Sequence, residues 1–111
     1  MGATTFFNTA NKSTNKSAND AFYSEKENAQ YEYGHGGYSG TIAEKSGFRI
    51  VNPPTGMSAR DFIRAIEDYD GESSDVNPTV REAWKIYDDK WGPALCIETD
   101  EQYIFCGWAS E

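Results

Sequence analysis

Ala94-Leu-Cys-Ile-Glu-Thr99 and Tyr103-Ile-Phe-Cys-Gly-Trp108, separated by Asp100-Glu101-Gln102, decide how this chain is read. Both runs are short, apolar and rich in β-branched or aromatic residues, and the acidic tripeptide between them is turn-forming. They predict a β-hairpin. With a three-residue loop, Ile97 faces Phe105, Leu95 faces Gly107 and Thr99 faces Tyr103. The other side then pairs Cys96 with Cys106 and Glu98 with Ile104.

Immediately upstream, Asn77-Pro78 is a helix start: a side-chain cap followed by a residue whose fixed φ suits the first turn. Val80, Ala83, Trp84 and Tyr87 fall on one face of the helix, and Gly92-Pro93 stops it. A second helix starts near Ser58, with Asp61 three residues on as a variant capping box. Phe62, Ile63, Ile66 and Tyr69 form its apolar face. Further upstream, Thr41–Glu44 and Phe48–Val51 flank Lys45-Ser46-Gly47 and predict another hairpin, with Glu44 opposite Arg49 and Ile42 opposite Val51. Asn52-Pro53-Pro54 ends it. A first helix is expected over 17–33, with Ala18, Phe22, Ala29 and Tyr33 on one stripe and Gly34 as its C-terminal cap.

Residues 1–16, rich in Thr, Asn, Ser and Lys, are expected to be a flexible arm before a single domain over 17–111. Phe6 and Phe7 stand out there as groups that would dock on the core or on a second copy. The order becomes α-ββ-α-α-ββ. It predicts an α+β fold in which a four-stranded, mostly antiparallel sheet, made of two hairpins, carries the helices.

The chain has 111 residues and a net charge of −8, and aromatics make up 14% of it. That content and length suit one folded domain that needs no disulfide or metal. No run approaches the ~20 apolar residues of a membrane span, and the start lacks a secretory pattern, so the cytoplasm is expected. Residues 1–60 carry six Lys or Arg and five Asp or Glu; residues 61–111 carry four and thirteen. Binding to phosphate backbones rests on basic side chains, so this balance argues against a nucleic-acid partner. It favours a basic protein partner. The candidate surface comprises Glu67, Asp68, Asp70, Glu72 and Asp75, then Asp88 and Asp89, then Asp100 and Glu101.

Gly34-His-Gly-Gly-Tyr-Ser-Gly-Thr41 is the most unusual segment. Its glycines would let backbone N–H groups approach an anion, with His35, Gly36, Gly37, Tyr38, Ser39 and Thr41 as candidate ligand contacts. It matches no phosphate-binding motif, because it leaves a helix instead of opening one. His35, the sole histidine, is the candidate for acid–base chemistry in an enzymatic reading. The carboxylates after Glu67 fail the calcium-loop pattern: the position that needs Gly is Ser73, and the one that needs Glu is Thr79. Cys96 and Cys106 read as packed thiols, with a disulfide as the alternative. No cofactor or metal is expected.

Two blocks, Ala29–Ala43 and Lys90–Ala94 with Gly107–Ser110, resemble small uncharacterised proteins encoded by bacteriophages. That resemblance implies an accessory or anti-defence protein that acts by binding in the host cytoplasm, and it carries no site residues. The expected function is therefore non-enzymatic binding of a host protein or complex. A nucleotide or signalling-molecule binder using residues 34–41 is the alternative, and a His35 enzyme the third reading. A homodimer through the Phe6-Phe7 arm or an exposed sheet edge is also expected.

Overall fold

The computed structural model describes residues 2–33 and 39–110. Its elements run β1 (Ala3–Asn11), α1 (Ala18–Tyr33), a 3-10 turn (Ile42–Glu44), β2 (Phe48–Ile50), α2 (Ala59–Asp68), α3 (Pro78–Tyr87), β3 (Ala94–Glu98) and β4 (Gln102–Ser110). The four strands form one sheet in the order β1-β4-β3-β2. β1–β4 and β4–β3 are antiparallel, whereas β3–β2 is parallel. The class is α+β. No described helix is long and apolar enough to cross a membrane.

The helices begin where local chemistry starts them. The Ser58 hydroxyl accepts from the Asp61 N–H at 3.1 Å, and Asn77 Oδ1 accepts from the Thr79 N–H at 2.8 Å, ahead of Pro78. The last hairpin forms, but its register differs from expectation. Leu95 pairs with Cys106, Cys96 with Phe105, Ile97 with Ile104 and Glu98 with Tyr103. The cause is Thr99. Its N–H donates to the Gln102 carbonyl at 2.9 Å and its hydroxyl accepts from the Gln102 N–H at 3.0 Å, leaving only Asp100-Glu101 as the turn. Strand side chains alternate, so this one-residue change sends the two cysteines to opposite faces.

Two further expectations are corrected. Residues 3–11 are no flexible arm. They form a nine-residue strand paired along its length with β4, from Ala3 opposite Ser110 to Asn11 opposite Gln102. Thr and Phe suit a pleated surface, and Phe6 and Ala10 are buried against the sheet's first layer. Nor is there a hairpin over 41–51, and Glu44 does not oppose Arg49. Thr41 caps a 3-10 turn by accepting from the Ala43 N–H, and the Lys45 N–H closes it on Ile42. β2 instead lies beside β3, far away in sequence. α2 and α3 make the crossover that a parallel pair requires.

Each face of the sheet has its own core. On one, α1 contributes Ala21, Phe22 and Ala29, packed on Phe6, Cys96 and Phe105. The rings of Phe22, Phe48 and Phe105 lie 5.2–5.6 Å apart, within the range of favourable aromatic contact. On the other, Phe62 and Ile66 of α2 and Val80, Ala83 and Tyr87 of α3 cover Leu95, Ile97, Ile104 and Cys106. Gly107 lets these layers close: its φ is +149°, and a Cβ there would lie 3.3 Å from the Tyr87 carbonyl and 3.5 Å from the Phe6 ring.

Candidate binding surfaces

The acidic residues are presented from loops and helix ends, where hydrophobic packing makes no demand on them. Glu67, Asp68, Asp70, Glu72, Asp75, Asp88, Asp89, Asp100 and Glu101 are all exposed. None forms an ion pair with Arg64, Arg81, Lys85 or Lys90. Asp68, Asp70 and Asp75 line one shallow depression with Ala65, Tyr69 and Val76. The Asp70 carboxylate accepts from the Glu72 and Ser73 N–H groups at 2.8 and 2.9 Å, and these donors hold it below the usual carboxylate range. Glu67 and Asp88 both act electrostatically on the Tyr87 hydroxyl, so the α2 end and the α3 end adjoin. Thr99 and Gln102, which flank the β3–β4 turn, share an open groove with Glu67 of α2, and the turn itself carries Asp100 and Glu101. They line a recess with Asn11, Lys12 and Ser13. Next to it, Lys12 donates to Glu98 at 2.6 Å, which holds the ammonium above its ordinary value.

In the glycine-rich segment, Gly34, the expected cap of the first helix, and His35, Gly36, Gly37 and Tyr38 lie outside the described residues. Ser39 and Thr41 are already engaged. The Ser39 N–H and hydroxyl both donate to the Glu44 carboxylate, at 3.0 and 2.7 Å, and the Ser39 and Thr41 hydroxyls share a 2.8 Å bond. The Gly40 N–H donates to the Ser110 carbonyl at 2.8 Å. At this end of the segment, Glu44 occupies the position an anionic ligand would take. The adjoining cavity, about 510 Å³ between β1 and α1, is lined by Asn8, Glu25, Asn28, Glu32 and Thr41 among others. Its two carboxylates suit a cationic group better than a phosphate.

A third surface is marked in the sequence only by the Phe6-Phe7 pair. Phe7 points away from the α1 layer and is 58% exposed. α2 and α3 cover β3 and β4 on that side but stop short of β1, leaving an open groove of about 440 Å³. Phe7, Ala59, Ile63 and Ile104 form its apolar part, and Arg60, Arg64 and Glu67 stand around it. Two adjacent phenylalanines in a strand must face opposite ways, and that alternation was the available signal.

The buried reactive groups are shielded. Burial pushes the Cys96 and Cys106 thiols up to about 12, so neither forms a nucleophilic thiolate near neutral pH. Lys45, expected in a turn, is 1% exposed. Its ammonium donates to the Asp89 carbonyl at 2.9 Å and lies 5.9 Å from the Phe6 ring centre. Burial lowers its pKa to about 8, although Asp89 opposes the shift. Among the described residues, no three His, Cys, Asp or Glu side chains are grouped as metal ligands. In comparisons with protein-family models, curated proteins and solved structures, the chain matches none.

Proposed function

We propose that this chain is a non-enzymatic binding protein. It engages a basic protein or protein complex through the carboxylates at the end of α2, the α2–α3 loop and the end of α3. One observation carries the reading: these carboxylates are exposed and form no ion pair with Arg64, Arg81, Lys85 or Lys90. Crowding like charges opposes folding, and a partner that neutralises them recovers that energy on binding. The sequence resemblance to bacteriophage proteins extends the proposal to an accessory protein acting on a host complex in the bacterial cytoplasm.

The test is capture from host extract with the full chain and with a variant carrying Asp68→Asn, Asp70→Asn and Asp75→Asn. Wild type should retain a basic partner at low salt and release it as salt rises. The variant should lose it. Equal capture by both proteins overturns the proposal.

A further inference from the structure

We propose that β1 is a self-association edge: two copies pair their β1 strands antiparallel about a two-fold axis at Phe7, joining two four-stranded sheets into one. The phase of the β1–β4 ladder comes first. The Lys12 N–H donates to the Glu101 carbonyl at 2.9 Å, so the alternation of antiparallel pairs directs Thr4, Phe6, Asn8 and Ala10 towards β4. The backbone groups of Ala3, Thr5, Phe7, Thr9 and Asn11 then point outward. Among the described residues, nothing bonds those of Ala3, Thr5, Phe7 or Thr9.

Sheet edges are ordinarily protected by shortness, proline or charge. β2, at the other edge, has three residues, one of them Arg49, and leads into Pro53-Pro54. β1 has nine residues and none of these protections. No side chain from Met1 to Asn11 is charged or proline, in a protein of net charge −8. A basic partner is drawn to the acidic loops. The side chains of β1 itself add no charge against a second copy; the nearby carboxylates, Glu25 and Glu32, belong to α1, and Glu25 accepts from the Asn8 amide.

The strand is also built for itself. Phe7 is the midpoint of Ala3–Asn11. An axis at Phe7 therefore pairs all nine residues without overhang: Ala3 with the partner's Asn11, Thr5 with the partner's Thr9, and Phe7 with the partner's Phe7. Those three pairs lie on the face that α2 leaves open. Thr–Thr and aromatic pairs are favourable cross-strand neighbours, and the ring that is 58% exposed in one copy gains an apolar contact. The groove beside Phe7 and α2 then continues across the axis into its counterpart.

This inference does not rest on the acidic-surface reading, and the two predict opposite salt responses. Self-association of two anionic chains tightens as salt rises. Sedimentation of the full chain at low and high salt should show a concentration-dependent dimer. Hydrogen exchange should find Thr5, Phe7 and Thr9 amides protected in the dimer and fast on dilution, with Phe6, Asn8 and Ala10 protected in both. Phe7→Lys and Phe7→Glu should each weaken the dimer by more than about tenfold, because like charges meet on the axis. An equimolar mixture of the two variants should associate again. Protected Phe6 and Asn8 amides in each variant verify the fold. A monomer at every concentration, a dimer indifferent to both substitutions, or a mixture that fails to associate overturns the proposal. So does protection of Thr5, Phe7 and Thr9 only when a foreign protein is added.

Discussion

Replacing Lys45 with Met should change how the stability of this protein depends on alkaline pH. The residue is fully enclosed, and its pKa is lowered from an ordinary 10.5 to about 8. Between those values, the unfolded chain holds a proton at this site that the folded chain has lost. Stability therefore rises with pH across that window, by up to about 1.4 kcal/mol per unit from this residue alone. The two thiols act the other way. Their folded pKa is raised from 9 to about 12, so above pH 9 the unfolded chain sheds protons that the folded chain retains, and stability falls. Tyr87, raised from 10 to about 12, adds to the fall above pH 10. Wild type should be most stable near pH 9.

Met keeps the length and fills the same space without a charge, and the Asp89 carbonyl retains a second donor in the Gly92 N–H at 3.2 Å. In Lys45→Met the rise from pH 8 to 9 should vanish while the fall above 9 remains. Urea titrations followed by tryptophan fluorescence, at steps from pH 7 to 10.5, give the two curves. Their difference cancels every other titrating group and isolates Lys45. It should grow in favour of wild type by up to about 3 kcal/mol from pH 8 to 10.5. A difference that stays flat across that range refutes the assignment of a buried, depressed lysine.

Other outcomes follow from the same packing. Cys96 and Cys106 should resist alkylation in the native protein at pH 8 and react fully in urea, as read by mass spectrometry; oxidants should produce no intramolecular disulfide, because the thiols lie on opposite faces of the sheet. Gly107→Ala should destabilise by about 1–3 kcal/mol in chemical denaturation, since φ +149° strains any side-chain residue and the added methyl meets the Tyr87 carbonyl. Ser58→Ala should cost about 1 kcal/mol, the usual worth of a helix cap.

What the sequence discloses here is mostly local. The caps at Ser58 and Asn77 and the existence of the last hairpin each depend on a few adjacent residues, whereas the end of α3 does not fall at Gly92-Pro93: the helix stops at Tyr87, capped by Asp88, whose N–H donates to the Trp84 carbonyl. The hairpin's register hides in one hydroxyl: Thr99 reads as a strand residue, yet its side chain holds the turn. β1 is misread because Thr and Asn suggest a loose arm by composition, whereas pairing with β4, a hundred residues on, makes them a strand. The Thr41–Glu44 stretch looks extended until Thr41 folds back on Ala43. The parallel contact of β2 with β3 leaves no local mark, since two helices intervene. The acidic residues are legible as exposed because loops and helix ends rarely bury carboxylates. The groove at Phe7 is not, because it exists only where α2 ends its cover of the sheet.

The strand order also sets a timetable. β4 is the strand that both β1 and β3 require, yet it is the last of the four to be synthesised. On the ribosome, Ala3–Asn11 emerges with its partner still about ninety codons away, several seconds at ~5–20 residues per second. The helices can form early, but the sheet must close in one late step dominated by contacts of long sequence separation. Until then the uncharged, phenylalanine-bearing first strand has both edges open, and that interval is when the nascent chain most needs a chaperone.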